Sequence, residues 1–371
     1  MGKRIAVIGA GISGLACAER LKLLGHQVQV FEKSRGLGGR VATRRSDQWR
    51  FDHGAQYFTV RDPRFKKFID LAVENHHVSE WEPRTCNFPK KEAWYVGQPN
   101  MVDLAKQFDR ALSISLNTLV TAVKPGIQLK WLLEFRQNSN DKNAGHSIDT
   151  LNQVHAIQTQ EFDLIIFAMP QTQVRALLLP FIDSYPEMDC SKQFQTLEAQ
   201  LKQCEMQPCW TVMFTTFTRP TGCEWAYDVY SVKEHEIDPD AGISWLARNN
   251  SKPKRLREEG YDHWVVHTSP KWSESHLDSS KEAVIEALRP EFLEIIKLLP
   301  SDGTILQTDA HRWLYAKVLE TRHKIRDTES KVLRSVYLAQ LGIGICGDYL
   351  SSSRVENAFL SGFELAEQVN S

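Results

Sequence analysis

The chain has 371 residues, with 45 Lys and Arg against 46 Asp and Glu, and 42% of its residues are hydrophobic. This length exceeds the size at which one hydrophobic core usually stops growing, so we expect two domains. The balanced charge argues against nucleic acid or an anionic membrane as a partner, and no run of about 20 apolar residues is present that could span a bilayer.

The first residues and the cysteines bear on the location of the protein. Met1 to Arg4 lead directly into an apolar strand and do not form a signal peptide, so we expect a soluble cytoplasmic protein. The seven cysteines are scattered, and four residues separate Cys204 from Cys209, a spacing that fits neither a metal site nor a redox pair. We therefore expect reduced, mostly buried thiols and no metal centre.

The amino-terminal segment predicts a strand, a glycine-rich turn and a helix in direct succession. The strand is Arg4 to Ile8, the turn from Gly9 to Gly14 reads Gly-Ala-Gly-Ile-Ser-Gly, and the helix ends near Gly25. This order is the context in which a glycine fingerprint indicates a dinucleotide-binding fold.

The residues of this turn each have a physical role in binding a dinucleotide. Gly9 permits a tight turn, Gly11 lets the backbone approach a pyrophosphate, and Gly14 allows the helix to pack closely on the strand. The helix N-terminus at Ile12 and Ser13 leaves backbone N–H groups and a partial positive charge facing the phosphates.

A second predicted strand, His26 to Phe31, ends at an acidic residue. Glu32 lies about 20 residues beyond the turn, where an acid usually accepts the hydroxyls of the adenosine ribose and repels a 2′-phosphate, so we expect a plain ADP moiety. Because its contacts are expected to be with the ligand, replacing Glu32 by Ala should weaken ligand retention without unfolding the chain. The loop from Lys33 to Arg40 combines glycines with cations, which suits a pyrophosphate, although a solvated basic turn would have the same composition.

Later segments predict a middle section of different character, after which the first fold resumes. Phe162 to Ala168 and Gly342 to Asp348 predict buried strands, the first of them parallel. Asn138 to Gly145 predict a hairpin tip after a strand around Leu129 to Phe135. The middle section predicts antiparallel strands at Trp210–Phe214, Ile243–Ala247 and His263–His267, followed by a helix from about 280 to 299.

Motifs spread over nearly the whole chain resemble a known family. The glycine turn and Glu32 are joined by Gly38-Gly39-Arg40 and by the late pair Gly347-Asp348. The other segments that carry the resemblance are residues 39–45, 51–59, 95–101, 251–253, 269–273, 311–313 and 353–356. Together they resemble the FAD-containing amine-oxidase superfamily and, within it, the renalase-like flavoproteins.

The resemblance implies an α/β plus α+β protein. A Rossmann-type FAD-binding domain (GR2-like) would be combined with a substrate domain built on a mostly antiparallel sheet plus helices. The FAD-binding domain would comprise residues 1–60, 98–172 and 331–371, and the substrate domain residues 61–97 and 173–330.

The resemblance also implies that FAD is bound without a covalent bond. Val120 would hold the adenine through its backbone, Asp348 would bind the ribityl chain, and a helix beginning near Val355 would direct its positive end at the flavin pyrimidine. Asn357 stands where the family often has glycine. The predicted cofactor-binding residues are Gly9, Gly11, Ile12, Ser13, Gly14, Glu32, Lys33, Gly39, Arg40, Gly54, Ala55, Gln56, Val120, Gly347, Asp348, Val355 and Glu356.

Candidate substrate residues have alternative interpretations. His311 and Trp313 match a family motif of the substrate pocket, but a His and a Trp two residues apart on a strand are more often part of core packing. His53 suits either a proton shuttle or a structural histidine bonded to backbone. The cationic run at 252–257 suits either a solvated loop or a contact with substrate phosphates.

The expected reaction is the transfer of a hydride to FAD from a small reduced substrate, for which a dinucleotide is one candidate. By resemblance, the leading substrates are aberrant dihydronicotinamide isomers of NAD(P)H, oxidised to NAD(P)⁺ with O₂ as the acceptor and H₂O₂ as the product. An amine oxidase or a dehydrogenase of a lipophilic substrate is the alternative, because the middle section is rich in tryptophan. A flavin-binding protein that senses or supports without turnover is a third class.

Overall fold

The structure, a computed structural model, describes twelve stretches of the chain, which form two compact units. The first unit comprises Met1–Gly39, Phe108–Glu205 and Glu320–Ser371, and the second comprises Arg40–Gln107 and Met206–Leu319. The described residues are 2–45, 49–86, 89–108, 112–126, 130–137, 156–184, 191–218, 225–232, 242–255, 260–297, 305–319 and 333–371.

The elements below are numbered in chain order. The helices are α1 (Ile12–Leu23), α2 (Pro63–Glu74), α3 (Asp103–Lys106), α4 (Gln171–Ser184), α5 (Ser191–Gln203), α6 (Pro270–Ser275), α7 (Lys281–Ile296) and α8 (Val355–Asn370). The strands are β1 (Arg4–Ile8), β2 (Gln27–Phe31), β3 (Arg44–Arg45), β4 (Arg50–Phe51), β5 (Val78–Trp81), β6 (Thr85–Cys86), β7 (Trp94–Gly97), β8 (Ser113–Ser115), β9 (Thr118–Pro125), β10 (Trp131–Gln137), β11 (Gln158–Phe162), β12 (Leu164–Phe167), β13 (Met206–Phe217), β14 (Val229–Ser231), β15 (Ile243–Arg248), β16 (Tyr261–Thr268), β17 (Ile305–Val318), β18 (Ser335–Leu338) and β19 (Ile343–Cys346).

A six-stranded sheet forms the centre of the first unit. Its order is β18-β19-β12-β1-β2-β8, and every neighbouring pair is parallel except β18 with β19. The strands β12 and β19 are buried along their whole length, as expected for strands covered on both faces. Because five strands run in the same direction, their carboxyl ends meet at one edge, which is where α/β sheets bind ligands.

One predicted strand begins later than the sequence suggests. Phe162 belongs to β11, where it pairs antiparallel with Trp131 of β10, and β12 starts only at Leu164. Phe162 is thus separated from the apolar run of β12 by Asp163 and pairs with β10. The strand predicted around 129–135 is β10, whereas the hairpin tip predicted at 138–145 lies outside the described residues.

Helices α1 and α8 of the first unit pack with almost no side chain between them at one point. A Cβ on Gly362 would overlap the carbonyl oxygen of Ser13 and would lie 2.9 Å from the backbone nitrogen of Cys17. Around this contact, Leu15 and Leu365 are fully buried. The backbone of α8 therefore lies directly against that of α1.

The second unit is built on the predicted antiparallel sheet. Its order is β17-β13-β16-β15-β14-β6, and only the short β6 runs parallel to its neighbour. Strand β13, which lies between β17 and β16, is buried on both faces from Cys209 to Thr216. On one face Phe214 stacks on Phe292 of α7 with the ring centroids 4.2 Å apart. On the other, Met213 packs with Trp49.

The two units are compact parts of the fold, whereas the predicted domains were divided according to whether they bind FAD or the substrate. Packing places residues 40–60 and 98–107 in the second unit and residues 173–205 in the first. The division of the chain by what each part binds stays a prediction.

Two further expectations concern the chain as a whole. Of the five described cysteines, Cys17, Cys204, Cys209 and Cys346 are buried and Cys86 is partly buried, and all five are free thiols. No helix within the described stretches is long and apolar enough to cross a membrane.

The α1–α8 contact predicts the effect of adding one methyl group. Gly362→Ala should lower the free energy of unfolding by about 1–3 kcal/mol, because backbone atoms of α1 leave no room for a Cβ. Gly36→Ala is the matched control, since its Cβ would meet no heavy atom within 4 Å. Urea unfolding of the three proteins measures both effects, and equal stability of the two variants would contradict the close contact.

Candidate functional site

The glycine turn after β1 has the predicted geometry. Gly9 has φ +111°, its N–H donates to the carbonyl of Phe31 (2.8 Å), and a Cβ there would lie 2.5 Å from the carbonyl oxygen of Ala168. A Cβ on Gly14 would overlap the carbonyl oxygen of Gly9. Both positions therefore need glycine to bring the turn, the strand and α1 together.

Gly11 differs from its neighbours because nothing in the described protein occupies the space beside it. It has φ −75°, which suits any residue, and a Cβ there would meet no heavy atom within 4 Å. It is the N-cap of α1 and makes no side-chain cap, and the first intrahelical bond is from Leu15 N–H to its carbonyl (3.0 Å). The amides of Ile12 and Ser13 thus begin a helix with an open approach, as a bound phosphate requires.

The loop between Lys33 and Gly39 returns to this turn. Gly38 N–H donates to the carbonyl of Ala10 (2.9 Å), and Gly38 forms a parallel bridge with Gly11. Gly39 has φ +56°, and its Cβ position lies 3.4 Å from the Cα of Gly11. The predicted residue Gly39 is therefore adjacent to the turn, whereas Lys33 is exposed.

Glu32 is buried, and its carboxylate already has protein partners. One oxygen accepts the N–H of Ala10 (2.9 Å) and the other accepts the N–H of Ser34 (2.7 Å). A carboxylate has about four lone-pair positions, so it can still accept ribose hydroxyls. The expectation that its contacts are only with the ligand is wrong, because Glu32 also closes the turn; replacing it would leave two N–H groups without an acceptor.

The start of β9 joins the same edge of the sheet. Thr118 N–H donates to the backbone carbonyl of Glu32 (2.8 Å), and Asn117 N–H donates to that of Ser34 (2.9 Å). Val120 follows two residues later and is buried. The structure thus places the predicted adenine-binding residue on a strand that is bonded to the predicted ribose-binding residue.

The carboxyl-terminal residues come to this edge through β19. Gly347 follows β19 directly, and its N–H donates to the Ser361 hydroxyl (2.7 Å) of α8. Asp348 and Glu356 are buried, 4% and 6% exposed. The N-cap of α8, Arg354, provides no side-chain cap, so the amides that begin with Val355 are outside the intrahelical ladder.

Asn357 has a structural role in place of the expected glycine. Its Nδ2 donates to the carbonyl of Ser352 (3.0 Å) and to its hydroxyl (2.6 Å). The side chain therefore ties the first turn of α8 to the segment that precedes it.

Two buried polar atoms at this edge have no hydrogen-bond partner within the described residues. Gln171 Oε1 lies four residues after β12, and Ser351 Oγ lies five residues after β19, the neighbouring strand. Buried polar atoms are nearly always paired, so orphans after the carboxyl ends of two neighbouring strands indicate a polar ligand. Neither residue could be predicted from the sequence, because a single Gln or Ser has no distinctive pattern. With the open space at Gly11, they show that this edge fits the polar ribose and phosphates of a dinucleotide.

In the second unit, the segment after β4 contains three of the predicted cofactor-binding residues, Gly54, Ala55 and Gln56. Ala55 N–H donates to the carbonyl of Arg40 (2.8 Å), and a Cβ on Gly54 would overlap that carbonyl. The Arg40 guanidinium donates to the carbonyl of Ala316 (3.0 Å). The residues from Arg40 and from Gly54 to Gln56 therefore form one tightly bonded group.

The carbonyl of His53 accepts three donors. They are Thr211 Oγ1 (3.0 Å), Trp313 Nε1 (3.0 Å) and His267 Nε2 (3.3 Å), all from strands of the antiparallel sheet of the second unit. The ring of His53 is bonded to the carbonyl of Ala42 (3.1 Å) through Nδ1. His53 thus has the backbone-bonded structural environment that the sequence left as one alternative.

The predicted pocket residues His311 and Trp313 meet at this point. The ring of His53 lies 4.9 Å from that of His311 and 4.8 Å from that of Trp313, between centroids. Burial, followed by the charge of Arg44, lowers the pKa of His311 to about 4. Burial, followed by His311 and Arg44, lowers the pKa of His53 to about 3. Both imidazoles are therefore neutral at pH 7.

The described cations of the run at 252–257 do not lie together on one exposed surface. The side chains of Lys252 and Arg255 are 0% and 2% exposed, and both bind the fully buried carboxylate of Asp52, Lys252 at 3.2 Å. Lys254 is exposed, and Arg257 lies outside the described residues. For Lys252 and Arg255, both sequence alternatives, a solvated loop and a phosphate contact, are wrong.

The cluster around Asp52 extends to a predicted site residue. Gln56 Nε2 donates to the carbonyls of Asp52 and Gly54, and its Oε1 accepts from Lys252 Nζ (3.3 Å). Burial alone would raise the pKa of Asp52, but Arg255 and Lys252 hold it well below its usual range. Burial lowers the pKa of Lys252 to about 8, although Asp52 acts in the opposite direction. The orientation of Gln56 is thus fixed by buried charges.

Comparison with known proteins supports the dinucleotide site. Residues 7–71 match the model of an NAD(P)-binding Rossmann-like domain. The 4,4′-diapophytoene desaturases of Staphylococcus haemolyticus (strain JCSC1435) and Staphylococcus aureus (strain MRSA252) are 39% identical over 82 residues and 49% identical over 73 residues. The matches cover 19% and 20% of this chain but only 16% and 14% of those enzymes, so their activity is not carried over.

Solved structures share the fold from end to end. A putative protoporphyrinogen oxidase from Exiguobacterium sp. 255-15 superposes with a TM-score of 0.70 at 13% identity, covering 100% of this chain and 99% of that chain. An oxidoreductase from Methanosarcina mazei gives 0.63 at 13% identity, covering 98% and 100%. The predicted fold class is confirmed: a Rossmann-type dinucleotide-binding unit combined with a unit built on an antiparallel sheet.

Replacing glycine by alanine should have different effects at two positions of the glycine turn, Gly11 and Gly14. Gly11→Ala should leave the apoprotein as stable as the parent, because the methyl group enters open space, but should raise the dissociation constant for the flavin by tenfold or more, on the order of 1.4 kcal/mol, and so lower the flavin content. Gly14→Ala should instead destabilise the apoprotein by about 1–3 kcal/mol. Urea unfolding and absorbance at 450 nm separate the effects, and full flavin content in Gly11→Ala would disprove the assignment.

The Asp52 cluster predicts a large loss of stability when one cation is removed. Lys252→Met should lower the free energy of unfolding by about 3–5 kcal/mol, because a buried charge network loses a partner. The exposed Lys254→Met, two residues away, should change it by less than about 0.5 kcal/mol. Chemical unfolding of both variants is the measurement, and similar values for the two would show that the cluster does not hold the unit together.

Proposed function

We propose that the protein is an FAD-dependent oxidoreductase that takes a hydride from a small reduced substrate. The observation that carries the proposal is the assembly at one sheet edge of the open turn at Gly11, the buried Glu32 and the segment from Gly347 to Glu356. Noncovalently bound FAD supplies the hydride acceptor.

The residues of the chain bind the cofactor and orient it. The amides of Ile12 and Ser13 bind phosphate, Glu32 accepts ribose hydroxyls, and the backbone of Val120 holds adenine. Asp348 would bind the ribityl chain, and the N-terminus of α8 would direct its positive end at the flavin pyrimidine. In this proposal, FAD is bound by residues 1–60, 98–172 and 331–371, among which Gly54, Ala55 and Gln56 would line the flavin. The substrate is bound by residues 61–97 and 173–330.

The leading substrates are dihydronicotinamide isomers of NAD(P)H, as in the renalase-like flavoproteins that the sequence resembles. The overall reaction converts the isomer, a proton and O₂ to NAD(P)⁺ and H₂O₂ in the cytoplasm. An electron-rich dihydropyridine needs no base to release a hydride. This is in keeping with the depressed pKa values of His53 and His311, which leave both side chains neutral and weakly basic.

An aromatic group in the second unit favours a second candidate, an amine oxidase or a dehydrogenase of a lipophilic substrate. Tyr57 stacks on Trp94 with ring centroids 3.8 Å apart, and Trp245 lies 5.6 Å from Tyr57. Tyr57 and Trp245 are only partly buried, so they offer the uncharged aromatic wall that such a substrate requires.

Anaerobic stopped-flow reduction tests these alternatives. The 2- and 6-dihydro isomers of NAD should bleach the 450 nm absorbance of the bound flavin, and benzylamine should not. The rate constant for reduction should be constant between about pH 5.5 and 7, because His53, His267 and His311 titrate below this range and Lys252, which is bonded to Gln56, titrates above it. Bleaching by the amine alone would support the second candidate, and a yellow protein that no donor reduces would exclude catalysis.

A further inference from the structure

We propose that Arg44 and Lys281 bind the phosphate of the substrate, beside His311 and Trp313. This inference rests on the proposed function, in which the hydride donor is a phosphate-bearing dinucleotide. It replaces the phosphate contact that Lys252 and Arg255 of the cationic run cannot supply, since both are buried around Asp52.

Strand β17 places a carboxylate, an imidazole and an indole in a row. Asp309, His311 and Trp313 alternate along the strand and share one face, because side chains two residues apart point the same way. The intervening Ala310 is part of the core on the opposite face. The row is about 13 Å long at about 3.3 Å per residue, so it can hold a ring at one end and an anion at the other.

Two cations meet at the Asp309 end of the row. Arg44 contacts Asp309 through Nε and Nη2, both at 2.9 Å, and Lys281 contacts it through Nζ at 3.3 Å. One carboxylate cannot balance two cations, so the three described groups carry one net positive charge. Their side chains are 36%, 47% and 33% exposed for Arg44, Lys281 and Asp309, so a ligand can reach them.

The cations also act on the histidine pair. Arg44 lowers the pKa of both His53 and His311 after the larger effect of burial, and Lys281 lowers that of His311. Both imidazoles remain neutral at pH 7, so the net positive charge of this group comes from Arg44 and Lys281 and not from the rings. The rings of His311 and Trp313, 4.5 Å apart between centroids, provide the apolar part of the same surface.

This combination of groups selects a planar ring that carries a phosphate. The guanidinium of Arg44 uses two of its five N–H groups on Asp309, and a phosphate oxygen is a suitable acceptor for the others. Lys281 adds a second, mobile donor. A hydride donor without a phosphate would contact the rings but would gain no binding energy from the two cations.

The experiment uses the flavin-loaded protein and two donors that share one reacting ring. The donors are 6-dihydroNAD and 1-methyl-6-dihydronicotinamide, which lacks phosphate. In Arg44→Met and Lys281→Met, the concentration of 6-dihydroNAD for half-maximal flavin reduction should rise about tenfold or more, with an unchanged limiting rate. Reduction by the methyl compound should not change. Arg64→Met is the control, because Arg64 pairs with Asp62 at the start of α2.

Calorimetric titration with NAD⁺ gives a readout that does not depend on turnover. The dissociation constant should rise about tenfold in Arg44→Met and should recover at least partly in Arg44→Lys. If neither donor reduces the parent protein, the proposed function fails, while Arg44-dependent binding of NAD⁺ would still support the phosphate site. Equal losses with both donors, or unchanged binding of NAD⁺, would overturn the inference.

Discussion

The first unit depends on backbone atoms that approach each other where side chains would forbid it. The start of α1 lies against the carbonyl of Gly9 because residue 14 is glycine, and α8 lies against the same helix because residue 362 is glycine. These two contacts fix α1 relative to the sheet and to the carboxyl-terminal helix. As a consequence, two uncapped helix N-termini belong to one rigid frame, at the edge where the parallel strands end.

The second unit is organised by a carboxylate. Asp52 accepts from the Thr43 hydroxyl (2.8 Å), the Met101 amide (2.9 Å), Lys252 and Arg255. Removing such a group from water is costly, and the cost is offset only when all its partners are in place. Four separate stretches of chain are thereby held in one arrangement. The neighbouring carbonyl of His53, which accepts hydrogen bonds from side chains of the antiparallel sheet, is positioned by the same contacts.

Local signals were sufficient for the parts of the molecule in which neighbours in sequence decide the structure. β1, the glycine turn, β12 and α7 follow from apolar patterning and glycine positions, within a few residues. Burial of Lys252 could not be predicted, because its partner is 200 positions away and cationic residues are seldom buried without one. The second role of Glu32 and the orphan atoms of Gln171 and Ser351 depend on three-dimensional neighbours, for which a single sequence provides no pattern.

The two amides that bind Glu32 also affect how a ligand arrives. Because Ala10 and Ser34 hold the carboxylate, its rotamer is set during folding and need not be frozen when a ribose docks. Preorganisation of this kind lowers the entropic penalty of association. An empty protein would then keep the shape of its nucleotide cradle, and the prosthetic group could leave and re-enter without refolding of the polypeptide.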